Sequence, residues 1–115
     1  MSAVERSPAA IEALIAAGGT VFVRFTGDWC GACRATAPVF EAAARKHAAR
    51  ARFAEADVER MEDLAQLCGV SRLPCVVFFT GGADEAALPG RCAPAALEAF
   101  IERALASVRP TPDAG

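Results

Sequence analysis

Residues 21–33 read Val-Phe-Val-Arg-Phe-Thr-Gly-Asp-Trp-Cys-Gly-Ala-Cys, and this stretch decides how the chain folds. Residues 21–25 are β-branched or aromatic apart from Arg24, which is typical of a central strand covered on both faces. Two cysteines, Cys30 and Cys33, follow where the extended pattern gives way to a helical one. The stretch therefore predicts a buried strand that leads into a helix beginning at the cysteine pair.

Helical and extended patterns alternate along the rest of the chain. Helices are predicted over 8–17, from 31 to about 49 with a kink at Pro38, over 61–67, and from Pro94 to Leu105; further strands are predicted over 51–58, 76–79 and 86–88. Strands that alternate with helices indicate βαβ units, and the last two strands, joined by a short glycine turn, should be antiparallel. The expected fold class is α/β, with a central mixed sheet flanked by helices on both faces.

The composition of the 115 residues is that of an ordinary globular chain. Hydrophobic residues make up 54% and charged residues 23%, which argues against intrinsic disorder and against a fibrous chain. We expect one domain over residues 1–108 and a flexible tail over 109–115, which contains two prolines. A net charge of −2 gives no support to a nucleic-acid or anionic-membrane partner, since both call for a basic surface.

The beginning of the chain does not follow the pattern of a secretory signal. Glu5 and Arg6 cancel in charge, and Glu12 interrupts the apolar run that such a signal needs. No run approaches the ~20 apolar residues of a membrane span. We therefore expect a cytoplasmic protein, and in a reducing cytosol five cysteines indicate thiol chemistry or metal binding rather than a static disulfide framework.

The two cysteines at the predicted strand-to-helix junction are suited to thiol chemistry. Cys30 would lie at the helix N-terminus, where unpaired backbone N–H groups and the helix dipole stabilise a thiolate. Cys33 lies one turn further along the helix and within reach of Cys30. It can therefore attack a mixed disulfide between Cys30 and a substrate, which is the second half of thiol-disulfide exchange.

Two other interpretations of the cysteines stay open. Zinc would need four ligands, but Cys68, Cys75 and Cys92 are scattered and His47 stands alone, so we expect no metal site. The pair could also be redox-inactive in a binding or chaperone-like module. Among the other cysteines, Cys75 is expected to be a buried packing residue, while Cys68 and Cys92 are expected to be more accessible, with a regulatory disulfide as the alternative. His47 is expected to be solvated and uninvolved.

Landmarks along residues 7–108 resemble the thioredoxin family, with the spacing of bacterial thioredoxins. Residues 29–33, Trp-Cys-Gly-Ala-Cys, resemble the family's Trp-Cys-Gly-Pro-Cys. The other matching positions are Arg34 after the second cysteine, the helix-kinking Pro38, Leu73-Pro74 at the family's cis-proline, the turn glycine Gly82, and Gly90 in the loop of the substrate groove.

The resemblance implies the thioredoxin fold and thiol-disulfide exchange with protein substrates through a mixed disulfide on Cys30. It further implies that the Cys30–Cys33 disulfide is the redox centre with no added cofactor, that a thioredoxin reductase or similar donor supplies electrons, and that the protein is a monomer. The implied docking groove consists of Trp29, Gly31, Ala32, Leu73, Pro74 and Gly90.

The chain departs from the family at three positions beside this site. Ala32 replaces the usual proline, Arg24 stands where the family has a buried aspartate, and Glu55 stands where a lysine pairs with that aspartate. The two charges have exchanged strands, so we expect an Arg24–Glu55 pair that shapes proton transfer at Cys33. The alternative is that the long Arg24 side chain extends along the sheet to water.

Overall fold

The computed structural model describes residues 3–108, which form one mixed sheet with helices packed on both faces. The elements in chain order are β1 (Val4–Glu5), α1 (Pro8–Ala16), β2 (Val21–Thr26), α2 (Gly31–Lys46), β3 (Arg52–Asp57), α3 (Glu62–Leu67), β4 (Cys75–Thr80), β5 (Ala83–Pro89) and α4 (Pro94–Ser107). The expected tail, 109–115, lies outside the described residues. No helix among the described residues is long and apolar enough to cross a membrane.

The five strands lie in the order β1-β3-β2-β4-β5. The pairs β1–β3 and β2–β3 are parallel, whereas β2–β4 and β4–β5 are antiparallel, so the expectation of a mixed sheet with an antiparallel final pair is confirmed. The strand β1 was not expected from the sequence, and β5 is longer than the expected 86–88. A two-residue strand has too few residues to show an alternating pattern, which explains why β1 escapes sequence analysis.

Side chains of the central strands alternate between two apolar layers. On one face, Phe22 stacks between Phe53 and Phe78 with ring centroids 5.2 Å apart on each side, and α2 and α4 cover these rings. On the other face, Val23 and Phe25 pack against α1 and α3. The sheet is therefore covered on both sides, as the nearly continuous apolar character of β2 predicts.

The end of α2 differs from the sequence-based expectation. The helix stops at Lys46, and His47 caps it with a side chain that is only 4% exposed. The His47 Nε2 atom lies 2.8 Å from a carboxylate oxygen of Glu98 on α4. The prediction of a solvated His47 was wrong, because α4 packs across the end of α2 and gives the imidazole both cover and a polar partner.

Candidate active site

Cys30 and Cys33 occupy the first turn of α2. Cys30 is the N-cap residue in an extended conformation, and its sulfur accepts a hydrogen bond from the backbone N–H of Cys33 at 3.1 Å. The two residues form a disulfide, with their Cα atoms 5.2 Å apart. Cys33 is almost fully enclosed at 1% exposure, whereas Cys30 retains 8%. Because the Cys33 N–H and the positive end of the helix dipole lie at the Cys30 sulfur, negative charge there is stabilised after reduction.

Three of the predicted groove residues, Leu73, Pro74 and Gly90, lie at the adjoining ends of β4 and β5. The Leu73–Pro74 peptide bond is cis, and the carbonyl of buried Pro74 accepts a hydrogen bond from the Gly90 N–H at 2.6 Å. Gly90 has a φ of +83°, a backbone conformation that favours glycine. In α2 itself, Gly31 is exposed and Ala32 is half-buried at the surface beside Cys30.

The only tryptophan of the chain, Trp29, lies at the surface next to Cys30. Its side chain is 68% exposed, which is unusual for a residue of this size. The indole and Leu73 converge over Gly27, since a Cβ atom at that glycine would lie 3.1 Å from the indole ring and 3.4 Å from a Leu73 methyl carbon. The absence of a side chain at position 27 therefore makes room for both side chains.

A surface cleft of about 460 Å³ extends from Trp29 toward α3, and we call it the Trp29 groove. Its apolar lining consists of Trp29, Val58, Ala65, Val70 and Leu73. Sequence analysis had placed only Trp29 and Leu73 here, because the contribution of α3 and of the residue after β3 depends on how the chain packs. A larger cavity of about 640 Å³ between β5 and α4 includes no cysteine in its lining.

Arg24 is buried directly behind the disulfide. Its side chain is 2% exposed, so the alternative that it reaches water is excluded. One terminal nitrogen donates to the backbone carbonyl of Cys33 at 3.0 Å, and the other donates to a carboxylate oxygen of Glu55. The second oxygen of Glu55 lies 3.6 Å from the Nε atom of Arg6, while the guanidinium of Arg24 lies 5.8 Å from the ring centre of Phe40.

The cross-strand pairing that the charge exchange predicts is therefore present, with Arg24 opposite Glu55 in the β2–β3 register. A second cleft, of about 260 Å³, opens between this pair and the back of the disulfide, and its lining includes Arg24, Cys33, Glu55 and Asp57. The Nε atom of Arg24 is buried without a hydrogen-bond partner among the described residues. Cys33 thus lies close to the Arg24–Glu55 ion pair and to a cleft that can admit water.

The three remaining cysteines are free and have poor nucleophilic character. Burial, with smaller contributions from the charge of Asp84 and from Cys75, raises the pKa of the Cys68 thiol to about 11. Burial also raises the pKa of Cys75 and of Cys92. These thiols stay protonated near neutral pH, and the thiolate is the reactive form.

One group of side chains has ligand atoms close enough for a metal ion, within the residues that the structure describes. His47, Glu98 and Glu102 place one ligand atom each within 4.8 Å of one another. Both carboxylates already form ion pairs with basic side chains: Lys46 lies 3.4 Å from Glu98, and Arg50 lies 3.6 Å from Glu102. No cysteine belongs to the group.

Comparison with known proteins identifies the family. The family model for thioredoxin matches residues 3–103. The chain belongs to the thioredoxin family. Thioredoxin-2 of Saccharomyces cerevisiae is 35% identical over 83% of this chain and 86% of its own length. A thioredoxin-like protein of Fusarium culmorum is also 35% identical, over 63% of this chain and 61% of its own length, so the chain spans less than two thirds of that relative.

The fold agrees with this family assignment. The crystal structure of the thioredoxin of Malassezia sympodialis superimposes with a TM-score of 0.80 at 27% identity, covering 91% of this chain and 93% of the other. The expected thioredoxin fold is therefore confirmed. Membership of the thioredoxin family and the two cysteines joined at the start of α2 are consistent with thiol-disulfide oxidoreduction.

Proposed function

We propose that this member of the thioredoxin family reduces disulfides in protein substrates through a mixed disulfide on Cys30. The observation that carries the proposal is the placement of Cys30 at the N-cap of α2, with Cys33 one turn away and more deeply buried. The exposed indole of Trp29 beside Cys30 gives a substrate a surface on which to dock. Attack by Cys30 and resolution by Cys33 follow from this difference in access.

The reaction balances as a two-electron exchange. The Cys30 thiolate attacks one sulfur of the substrate disulfide, and the other substrate sulfur leaves as a thiolate. The Cys33 thiolate then attacks the Cys30 sulfur, which releases the second substrate thiolate and forms the Cys30–Cys33 disulfide. A thioredoxin reductase or similar electron donor returns the pair to the dithiol, and no metal or organic cofactor takes part.

The docking surface in this proposal consists of Trp29, Gly31, Ala32, Leu73, Pro74 and Gly90. Two observations support it: Trp29, the residue before Cys30, and Leu73 both lie over Gly27, and the Gly90 N–H donates to the Pro74 carbonyl. A monomer is sufficient for this chemistry, since both reacting sulfurs belong to one chain.

The decisive experiment measures reduction of insulin by the protein in dithiothreitol. We expect Cys30→Ser to abolish activity, and Cys33→Ser to accumulate mixed disulfides with substrate proteins on Cys30. The matched control is Cys92→Ser, which removes a half-buried thiol outside the pair and should leave activity unchanged. Insulin reduction by the Cys30→Ser variant at the normal rate would contradict attack by Cys30, and a wild-type protein that does not accelerate the reaction over dithiothreitol alone would favour a binding or chaperone-like module.

We further propose that Arg24 and Glu55 act as positioning residues for proton transfer at Cys33. A guanidinium cannot accept a proton, so the proton of the Cys33 thiol passes to Glu55 or to water in the adjacent cleft. The positive charge of Arg24, held at the Cys33 carbonyl, favours the thiolate and hence the reduced form. This makes the disulfide more oxidising than it would be without the arginine.

The test compares Arg24→Met with Arg34→Met, an exposed arginine whose side chain contacts the Asp28 carbonyl. We expect Arg24→Met to shift the pH profile of thiol alkylation to higher pH and to move the equilibrium with glutathione several-fold toward the disulfide. Circular dichroism checks that the variant is folded. An unchanged pH profile and an unchanged redox equilibrium in the folded variant would contradict the proposal.

A further inference from the structure

The Trp29 groove lies where a substrate must approach, because it begins at the residue that precedes Cys30. Its apolar lining comes from four separate parts of the chain: Trp29 before α2, Val58 after β3, Ala65 in α3, and the segment before β4 that contains Leu73. A cleft of about 460 Å³ takes side chains of a polypeptide rather than a whole domain. An apolar side chain near the substrate's disulfide therefore has a place to bind.

The rim of the groove on the α3 side carries negative charge. Glu59 and Glu62 line the cleft, and both side chains are exposed. Neither carboxylate forms an ion pair within residues 3–108. The nearest basic residue in sequence, Arg60, does not line this groove; it shares a neighbouring cleft with Glu59 and Glu62 but forms no ion pair with either among the described residues. The two carboxylates are thus available to an incoming cation.

Two arginines lie beside the cis-proline segment, whose Pro74 carbonyl accepts the hydrogen bond from Gly90. The Arg72 side chain lies against Gly90, where a Cβ atom would be 3.5 Å from its Cδ, and Arg91 follows that glycine. Both arginines are exposed and form no ion pair in the part of the chain that the structure describes. A substrate cation is repelled by these arginines and attracted by Glu59 and Glu62, which favours its binding at the α3 side of the groove.

We propose that the Trp29 groove selects disulfide-bonded polypeptide segments that carry an apolar side chain and a lysine or arginine near the disulfide cysteine. The apolar side chain packs against Trp29 and Leu73, and the cation lies between Glu59 and Glu62. This inference rests on the proposed reductase activity and adds to it a preference for basic substrates.

The test uses two peptides that differ in one position. Each carries a leucine and one cysteine held as a mixed disulfide with 5-thio-2-nitrobenzoate, and a lysine in one peptide is replaced by glutamate in the other. Stopped-flow absorbance of the released thiolate gives the second-order rate constant of the reduced protein with each peptide. We expect a preference for the lysine peptide of about fivefold, which shrinks as salt is added.

The variant Glu59→Gln/Glu62→Gln should reduce this preference to about twofold or less while the rate with the glutamate peptide rises. The matched control is Glu85→Gln/Glu102→Gln, which changes the net charge equally but lies on β5 and α4, away from the groove. We expect the control to keep the wild-type preference.

Three results would overturn the inference. The first is equal rates of the wild-type protein with both peptides, and the second is a preference that survives in the Glu59→Gln/Glu62→Gln variant. The third is sedimentation showing that a second copy of the chain covers the groove. A failure of the reductase proposal is distinguishable, because then neither peptide nor insulin would be reduced by a pathway that depends on Cys30.

Discussion

At the residue scale, Arg24 and Glu55 form one ion pair but differ in their contact with water. Arg24 is 2% exposed and Glu55 is 24% exposed. If Arg24 is removed, Glu55 keeps its contact with Arg6 and with solvent. If the charge of Glu55 is removed, a buried guanidinium loses its counterion, which is a costly state. The two halves of the pair should therefore differ in their effect on stability.

We predict that Glu55→Gln lowers the free energy of unfolding by about 3 kcal/mol, and that Arg24→Met lowers it by less. Urea denaturation of both variants in the oxidised form measures the difference. The methionine fills much of the space that the arginine stem leaves beside Phe40, which also limits its cost. Equal losses, or a larger loss for Arg24→Met, would contradict this account.

The sequence indicates the Arg24–Glu55 pair more clearly than it indicates the position of His47. A lone arginine in an apolar strand needs either a counterion or access to water, and the resemblance to the thioredoxin family pointed to Glu55 as the counterion. His47 gives no such signal, because its burial depends on a helix that starts 47 residues later at Pro94. Sequence analysis missed Val58 and Val70 in the groove for the same reason. The local pattern of apolar residues does not show which loops pack together in the folded chain.

At the element scale, the two helices that begin with proline differ in their caps. In α1, the side chain of Ser7 accepts a hydrogen bond from the Ala10 N–H at 3.4 Å. In α4, Ala93 has the extended backbone of an N-cap residue but no side chain that can accept such a bond. The first turn of α4 therefore has an unfilled capping position.

We predict that Ala93→Ser raises the free energy of unfolding by about 1 kcal/mol, because its hydroxyl can accept a bond from an unpaired N–H of the first turn. The matched control is Ala95→Ser, which places the same side chain inside α4 and should give no gain. Thermal and urea denaturation provide the measurement. A gain in both variants would show that capping is not the cause.

The strands show how far pattern alone predicts an element. Strands β2 and β4 carry nearly continuous apolar residues and were expected within one residue of their observed ends. Strand β5 has six of its seven residues exposed, so its sequence does not alternate between apolar and polar residues. Its length is set by its pairing with β4. A local sequence pattern does not contain this long-range pairing, so it could not predict where β5 begins.

At the scale of the whole molecule, the contact between His47 and Glu98 joins α2 to α4 across the end of the sheet. Burial alone would raise the pKa of Glu98, but hydrogen bonds and charges from His47 and Lys46 outweigh it, and the pKa is lowered. The folded state therefore favours the ionised carboxylate. Its contribution to stability is present above the ordinary pKa of the group and is lost as the pH falls through the lowered value.

We predict that Glu98→Gln lowers the free energy of unfolding by about 0.5–1 kcal/mol at about pH 6. The difference in unfolding free energy between the variant and the wild type should shrink toward about pH 3. Urea denaturation across this range measures both proteins, and Glu85→Gln on β5 is the control. A difference that stays constant with pH would mean that Glu98 contributes through packing rather than charge.

Trp29 is the only tryptophan of a chain that has no tyrosine, and its indole is mostly exposed beside the cysteine pair. All of the tryptophan fluorescence of the protein therefore comes from this one position. Emission intensity and wavelength will report the redox state of the pair and the arrival of a peptide in real time, without an attached dye. The protein carries its own optical probe at the place where its chemistry occurs.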